Sequence, residues 1–188
     1  MDALTNNYYL ISGQGYPRLL DVTLPNAVDE VIDSGVYDYL VVVLDADDVS
    51  VEERINEVMS RLENAKLGSC ELKVIVQNCC VESWLLGNRR VFQHQPQDGE
   101  LSKYIRFYSV YDDEPELMGN PLNSGSKAAF HKKYLKLMLG ERNIRYTEKN
   151  PSDVGKHHYF SALQERVLDE PTHLRTLQSL FEFCDELR

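Results

Sequence analysis

The pattern of hydrophobic and polar positions centres on one long apolar run that is followed by an acidic turn. Residues 37–44 (YDYLVVVL) are mostly apolar and rich in Val and Tyr, which predicts a strand buried on both faces. Asp45 and Asp47 follow directly. Ser50 and Glu53 form a capping-box pattern, and apolar residues at helical spacing then predict a helix over residues 51–66. Strand, acidic turn and helix together predict half of a βαβ unit.

Periodic segments on both sides of this unit complete the prediction. Two further strands are predicted, at residues 7–12 and 71–77. Six further helices are predicted, at residues 26–33, 82–87, 101–108, 126–139, 157–167 and 172–187. The expected fold class is α/β, with a mostly parallel central sheet of about four strands, helices on both faces and a helical C-terminal region.

The predicted domain organisation follows from a change in composition. Residues 112–125 are rich in Asp, Glu, Pro, Asn and Gly, which is typical of a loop or linker. We therefore predict an α/β domain over residues 1–111, a linker over 112–125, and a helical region over 126–188 that packs on the first domain.

Length and composition narrow the setting of the protein. With 188 residues and 43% hydrophobic content, the chain can bury one sizeable core. It has no apolar run of membrane-spanning length and no signal-peptide pattern, so we expect a cytoplasmic protein without a membrane partner. The four cysteines show no CxxC spacing and are expected to be structural thiols. Cys79 and Cys80, adjacent at a strand end, are expected to point to opposite sides.

The net charge of −10 argues against a nucleic-acid partner, but one segment departs from this average. Residues 124–149 hold seven Lys and Arg against Glu141 and Glu148. Six of these basic residues are candidate contacts to a phosphate backbone: Lys127, Lys132, Lys133, Lys136, Arg142 and Arg145. The alternative is an ordinary solvated helix face. Phe130 and Tyr134, which lie between the lysines, are expected in the core.

The acidic residues at the strand ends are the candidate catalytic groups. Asp45 and Asp47 end the central strand, and Glu82 follows the strand at 71–77, so all three should meet at one edge of a parallel sheet. Such carboxylates suit Mg²⁺ or Mn²⁺, which steadies the leaving oxygen of a phosphodiester. The alternative is that Asp45 and Asp47 are solvated loop residues and Glu82 caps a helix.

The histidines show no metal-ligand spacing. His131, His157 and His158 lack HxH and HExxH patterns, so we expect ordinary surface or half-buried side chains.

The order YYLISGQG, VVVLDADD and VIVQNCCVESWLLGN resembles the Toprim fold group, and in particular the OLD-like and RloB-like nucleases of phage-defence systems. The similar region covers residues 7–88. The resemblance implies magnesium-dependent phosphodiester chemistry on DNA or RNA, with Asp45 and Asp47 as metal ligands. It also implies a setting in bacterial defence or mobile-element biology, with a protein partner in a defence complex or a homo-oligomer.

The sequence departs from the Toprim pattern at its beginning. Toprim proteins open with a strand that ends in a Glu-Gly pair, and no such pair stands before Tyr8. Three explanations are open: the βα unit is missing, the chain starts at an internal Met, or the fold is a degenerate relative. We hypothesise that Glu82 supplies the missing carboxylate.

Two other functions are compatible with the same residues. A non-catalytic interaction module would dock its acidic half on a basic partner and use its C-terminal helix to oligomerise. A nucleotide-sugar glycosyltransferase also carries a DxD after a Val-rich strand. It is the less favoured alternative, since those enzymes place a nucleotide-binding half before the DxD and only 44 residues precede Asp45.

Overall fold

The computed structural model describes residues 8–121 and 125–187. Its longer elements, in chain order, are α1 (Leu24–Ser34), β1 (Tyr39–Asp45), α2 (Val51–Leu62), β2 (Glu71–Gln77), α3 (Val81–Leu85), α4 (Gly99–Phe107), α5 (Lys127–Gly140), α6 (His157–Asp169) and α7 (Arg175–Glu186). A π-helical turn at Leu19–Thr23 precedes α1, and 3₁₀ turns lie at Arg89–Val91, Pro115–Leu117 and Ser152–Gly155. The predicted helices are therefore present with shifted ends, and β2 has the predicted bounds.

The sheet is smaller than predicted. In the described residues it consists of two parallel strands, β1 and β2, so the protein is a helix-rich α/β protein and the prediction of about four strands is wrong. Residues 8–12 of the predicted strand at 7–12 form no regular structure, and Asn7 lies outside the described residues. Tyr8 and Leu10 are each 83% exposed, because alternating apolar residues form a strand only where another strand pairs with them.

β1 is buried on one face only. Val42 and Leu44 are buried, whereas Val41 is 36% and Val43 45% exposed. The prediction of a strand buried on both faces is therefore wrong. A continuous apolar run is typical of a strand covered by helices on both sides, and in β1 the alternation of side chains leaves one set open to solvent.

The chain divides into two compact units. Unit 1 comprises the described residues up to Val42 together with Ile55–Val74; unit 2 comprises Val43–Arg54 and the described residues from Ile75 onward. In unit 1, four apolar side chains of the π-helical turn and α1 are buried: Leu20, Leu24, Val28 and Val31. The predicted division at residues 112–125 remains a prediction.

Unit 2 has its core among α3, α5, α6 and α7. The buried side chains there include Phe130, Tyr134, Leu135, Tyr159, Leu163 and Leu177, and they confirm the predicted core positions of Phe130 and Tyr134. The Tyr159 hydroxyl donates a hydrogen bond to the Leu85 carbonyl over 2.8 Å, which ties α6 to α3. No helix in the described ranges is both long and apolar enough to cross a membrane.

Candidate metal centre

The loops that follow β1 and β2 are joined by backbone hydrogen bonds. The Ala46 N–H donates to the Gln77 carbonyl over 3.0 Å, and the Asp47 N–H donates to the Cys79 carbonyl over 2.8 Å. Asp47 adopts the left-handed conformation, with φ of 57°. The carboxyl ends of the two parallel strands thus meet, and all of the residues that follow belong to unit 2.

The beginning of α2 needs no help from Asp45 or Asp47. Ser50 and Glu53 form the predicted capping box, in which the Ser50 N–H donates to Glu53 Oε2 over 2.8 Å and the Glu53 N–H to Ser50 Oγ over 3.1 Å. Ser50 and Glu53 therefore cap α2, and neither Asp45 nor Asp47 takes part in the cap.

Asp45 carries the most perturbed carboxyl group of this edge. Burial, followed by the charges of Asp47 and Glu82, raises the pKa of Asp45 from 3.8 to about 7. The Val81 N–H donates a hydrogen bond to the carboxylate, which opposes this shift. The buried Oδ1 atom has no hydrogen-bond partner among the described residues. The charges of all three predicted acids thus act on one another at this edge, and one carboxylate oxygen of Asp45 has no hydrogen-bond partner there. Their ligand atoms do not form one of the described groups of three that lie within 4.8 Å of one another.

Glu82 is the most deeply buried of the three acids. It is 5% exposed, and its Oε1 accepts a hydrogen bond from the Tyr146 hydroxyl over 3.1 Å. Burial, together with the Glu82 charge, raises the pKa of Tyr146, so this phenol remains a hydrogen-bond donor at neutral pH. Sequence reasoning missed Tyr146, because no spacing rule connects it with a glutamate 64 residues away.

Two lysines of α5 have their charges near the acids. Lys127 is half-buried. Its charge lowers the pKa of Cys79, whereas the charges of Asp45 and Asp47 raise it. Lys132 forms an ion pair with Glu148, which raises the pKa of its ammonium group. The charge of Glu82 raises this pKa further. Glu148 in turn raises the pKa of Asp45, after burial and the two nearer acids. The acidic edge is therefore flanked by cations, and Glu148 is a further neighbour that the sequence did not indicate.

The other predicted nucleic-acid contacts are more dispersed. Lys133 pairs with Glu100, and the Arg142 guanidinium donates to the carbonyls of Val91 (3.3 Å) and Phe92 (2.7 Å). Lys136 and Arg145 are exposed. Arg142 thus has a structural contact of its own, whereas Lys132 is affected by the charge of Glu82 and Lys127 acts on Cys79, the neighbour of the acids.

His131 differs from the expectation of a surface or half-buried side chain. It is fully buried; its Nδ1 lies 2.8 Å from Ser83 Oγ, and its Nε2 lies 3.0 Å from the Met118 carbonyl oxygen. Burial lowers the pKa of His131 to about 4, so the imidazole is neutral at pH 7. The prediction failed because a histidine on a lysine-rich helix gives no sign of the partners that other segments supply.

The adjacent cysteines also differ from expectation. Cys79 has φ of 69°, and its sulfur lies within 4.8 Å of the Cys80 sulfur. The prediction that they point to opposite sides is therefore wrong. It assumed extended backbone, whereas the left-handed conformation of Cys79 turns both side chains toward each other.

The hydrogen bond between Tyr146 and Glu82 gives a direct test of this arrangement. We expect Tyr146→Phe to lower the free energy of unfolding by about 1–2 kcal/mol, because Glu82 keeps its burial and loses a donor. Tyr104→Phe is the matched control, since the Tyr104 hydroxyl contacts Glu100 at the exposed surface over 3.3 Å. Urea unfolding measures both variants. Equal losses in the two would contradict a specific role for the Tyr146 hydroxyl.

Comparison of the chain with protein-family models, with curated proteins and with solved structures found no match.

Proposed function

We propose that this protein is a magnesium-dependent phosphodiester-processing protein, a nuclease acting on DNA or RNA, with its site at Asp45, Asp47 and Glu82. The proposal includes the relationship to the RloB-like branch of the Toprim group and a role in bacterial defence or mobile-element biology. It rests on the sequence resemblance together with the chemistry of the acidic edge.

The observation that carries the proposal is the buried, unpartnered carboxylate oxygen of Asp45. Among the described residues Oδ1 has no hydrogen-bond partner, although Asp47 and Glu82 place two more negative charges beside it. An arrangement of like charges with an unsatisfied oxygen costs stability unless something neutralises it. Oxygen donors of this kind fit Mg²⁺ or Mn²⁺, so the residues present suit the metal that the resemblance implies.

Each neighbouring residue has a role in this proposal. Asp45 would hold the cation from the end of β1 and Asp47 from the loop that follows, and Glu82 would complete the carboxylate set from α3. When bound, the cation supplies charge that stabilises the developing negative charge on a phosphodiester. Tyr146 orients the Glu82 carboxylate through its hydrogen bond. Lys127 and Lys132 would attract the phosphate backbone of the substrate.

Calorimetric titration with Mg²⁺ and Mn²⁺ tests the metal site directly. We expect the wild type to bind either ion, and Asp45→Asn/Asp47→Asn to lose detectable binding, because the variant removes two negatively charged oxygen ligands. Asp48→Asn is the matched control, since Asp48 is an exposed aspartate in the same loop. Nicking of plasmid DNA and cleavage of structured RNA by the same proteins then identify the substrate.

The result also separates the candidate functions. Equal loss of binding in Glu82→Ala and Asp45→Ala would support the assignment of Glu82 as the third carboxylate. Absence of Mg²⁺ and Mn²⁺ binding in the wild type would overturn the catalytic proposal and favour a non-catalytic interaction module.

A further inference from the structure

Cys79 and Cys80 form an unusual thiol pair. Side chains of successive residues in extended backbone lie on opposite sides, yet these two sulfurs lie within 4.8 Å of each other. Cys79 achieves this through a left-handed backbone with φ of 69°, which is unfavourable for a residue with a Cβ atom. Conformations of this kind persist where surrounding structure maintains them, and they concentrate at functional sites.

His131 supplies a third donor atom to the same place. One ligand atom from each of Cys79, Cys80 and His131 lies within 4.8 Å of the others. None of the three residues is more than 3% exposed. They come from the loop after β2 and from α5, so the fold itself assembles the set.

The hydrogen bonds of His131 leave its Nδ1 atom without a proton and able to bind a metal ion. Since the Met118 carbonyl can only accept, Nε2 carries the proton and Nδ1 presents a lone pair to the Ser83 hydroxyl. That hydroxyl lies 3.8 Å from Cys80 Sγ, between the ring and the thiol. A metal-bound histidine commonly donates its other N–H to a backbone carbonyl, and the Met118 contact already has this form.

We propose that Cys79, Cys80 and His131 form a Zn²⁺ site that is separate from the acidic edge. Two sulfurs and an imidazole nitrogen suit Zn²⁺, whereas Mg²⁺ takes oxygen ligands. Zinc would bind Nδ1 in place of the hydrogen bond from the Ser83 hydroxyl, which keeps its proton, and the two thiols would each release one proton to solvent. With Zn–S near 2.3 Å and Zn–N near 2.0 Å, the donor atoms need to approach one another by about 1 Å.

A zinc ion at this position would also brace the neighbouring loop. The Cys79 carbonyl accepts the hydrogen bond from the Asp47 N–H, so fixing Cys79 would fix the backbone of an acid at the other site. The zinc site does not depend on the proposed nuclease function, because its donors are different atoms. Double substitution of Asp45 and Asp47 therefore distinguishes failure of one proposal from failure of the other.

Cobalt substitution is the test, because thiolate ligands give Co²⁺ an intense charge-transfer absorption that oxygen ligands do not. The reduced wild type, freed of metal with a chelator, is titrated with Co²⁺ and then with Zn²⁺. We expect the thiolate band to appear at one Co²⁺ per chain and to disappear when Zn²⁺ displaces it. Asp45→Asn/Asp47→Asn should keep the band.

Single substitutions at the ligands are compared with substitutions at the other two cysteines. We expect Cys79→Ser and Cys80→Ser to weaken Co²⁺ binding by more than about 100-fold. Cys70→Ser and Cys184→Ser should leave it unchanged. A wild type without the thiolate band would overturn the proposal without any variant, and so would a band that survives in Cys79→Ser and Cys80→Ser. If a ligand variant fails to fold, a zinc-dependent rise in the Tm of the wild type that Cys184→Ser retains supports the proposal, and its absence overturns it.

Discussion

Asp45→Asn is expected to stabilise the metal-free protein above pH 7 by roughly 2–4 kcal/mol. The folded-state pKa of Asp45 is about 7, against 3.8 for the free side chain, because the carboxyl group is buried beside Asp47 and Glu82. The protonated form therefore contributes stability below pH 3.8, and this contribution is lost as the pH rises through 7. Asparagine is neutral at every pH, so the variant does not lose stability as the pH rises through this range.

The measurement is urea unfolding of wild type and variant in EDTA from pH 4 to pH 9. The difference in unfolding free energy should be near zero at pH 4 and should grow up to about pH 8. Asp48→Asn, in the exposed part of the same loop, should show no such growth. A variant less stable than the wild type at pH 8 would contradict the account of Asp45 as a destabilised carboxylate.

Glu116→Ala is expected to lower the free energy of unfolding by about 3 kcal/mol. Glu116 is 4% exposed and accepts hydrogen bonds from Trp84 Nε1 (2.9 Å) and the Thr176 N–H (3.2 Å), and also from the Thr176 hydroxyl. Truncation removes the carboxylate acceptor and leaves a cavity. The Thr176 donors at the beginning of α7 have then lost their acceptor. The single tryptophan, Trp84, reports the transition by its fluorescence.

Two further variants isolate the cause. Glu116→Gln keeps an acceptor of nearly the same shape and should cost about 1 kcal/mol. Glu165→Ala removes an exposed ion pair with Arg90 and should cost less than about 1 kcal/mol. A loss in Glu165→Ala as large as that in Glu116→Ala would show that the buried hydrogen bonds of Glu116 are not the reason.

Local patterns predicted the elements of this protein well. The capping box of Ser50 and Glu53 marked the beginning of α2, and the segment ELKVIVQ predicted β2 with its observed bounds. Such signals depend on neighbours a few residues apart. The interaction between the charges of Asp45 and Glu82 was predictable for a different reason, since two parallel strands share their carboxyl edge.

The predictions from the sequence failed where the local structure depends on residues that are distant along the chain. Residues 8–12 have strand-like composition but no strand to pair with in the described structure. The buried partners of His131 are Ser83 and Met118, which lie in other segments and which no short pattern connects with it. The same holds for Tyr146 at the acidic edge.

The hydrogen bonds that Glu114 and Glu116 accept from the beginning of α7 affect how the chain folds during synthesis. Glu114 accepts from the Leu174 N–H over 2.5 Å and Glu116 from the Thr176 N–H, in each case across 60 residues. At about 5–20 residues per second, a ribosome needs roughly 3–12 s to make that stretch. During this interval the carboxylates of Glu114 and Glu116, which are buried in the folded protein, lack the N–H donors of Leu174 and Thr176. Unit 2 therefore completes its core only after α7 has been synthesised. A C-terminal deletion that removes α7 would hold the protein in this unfinished state.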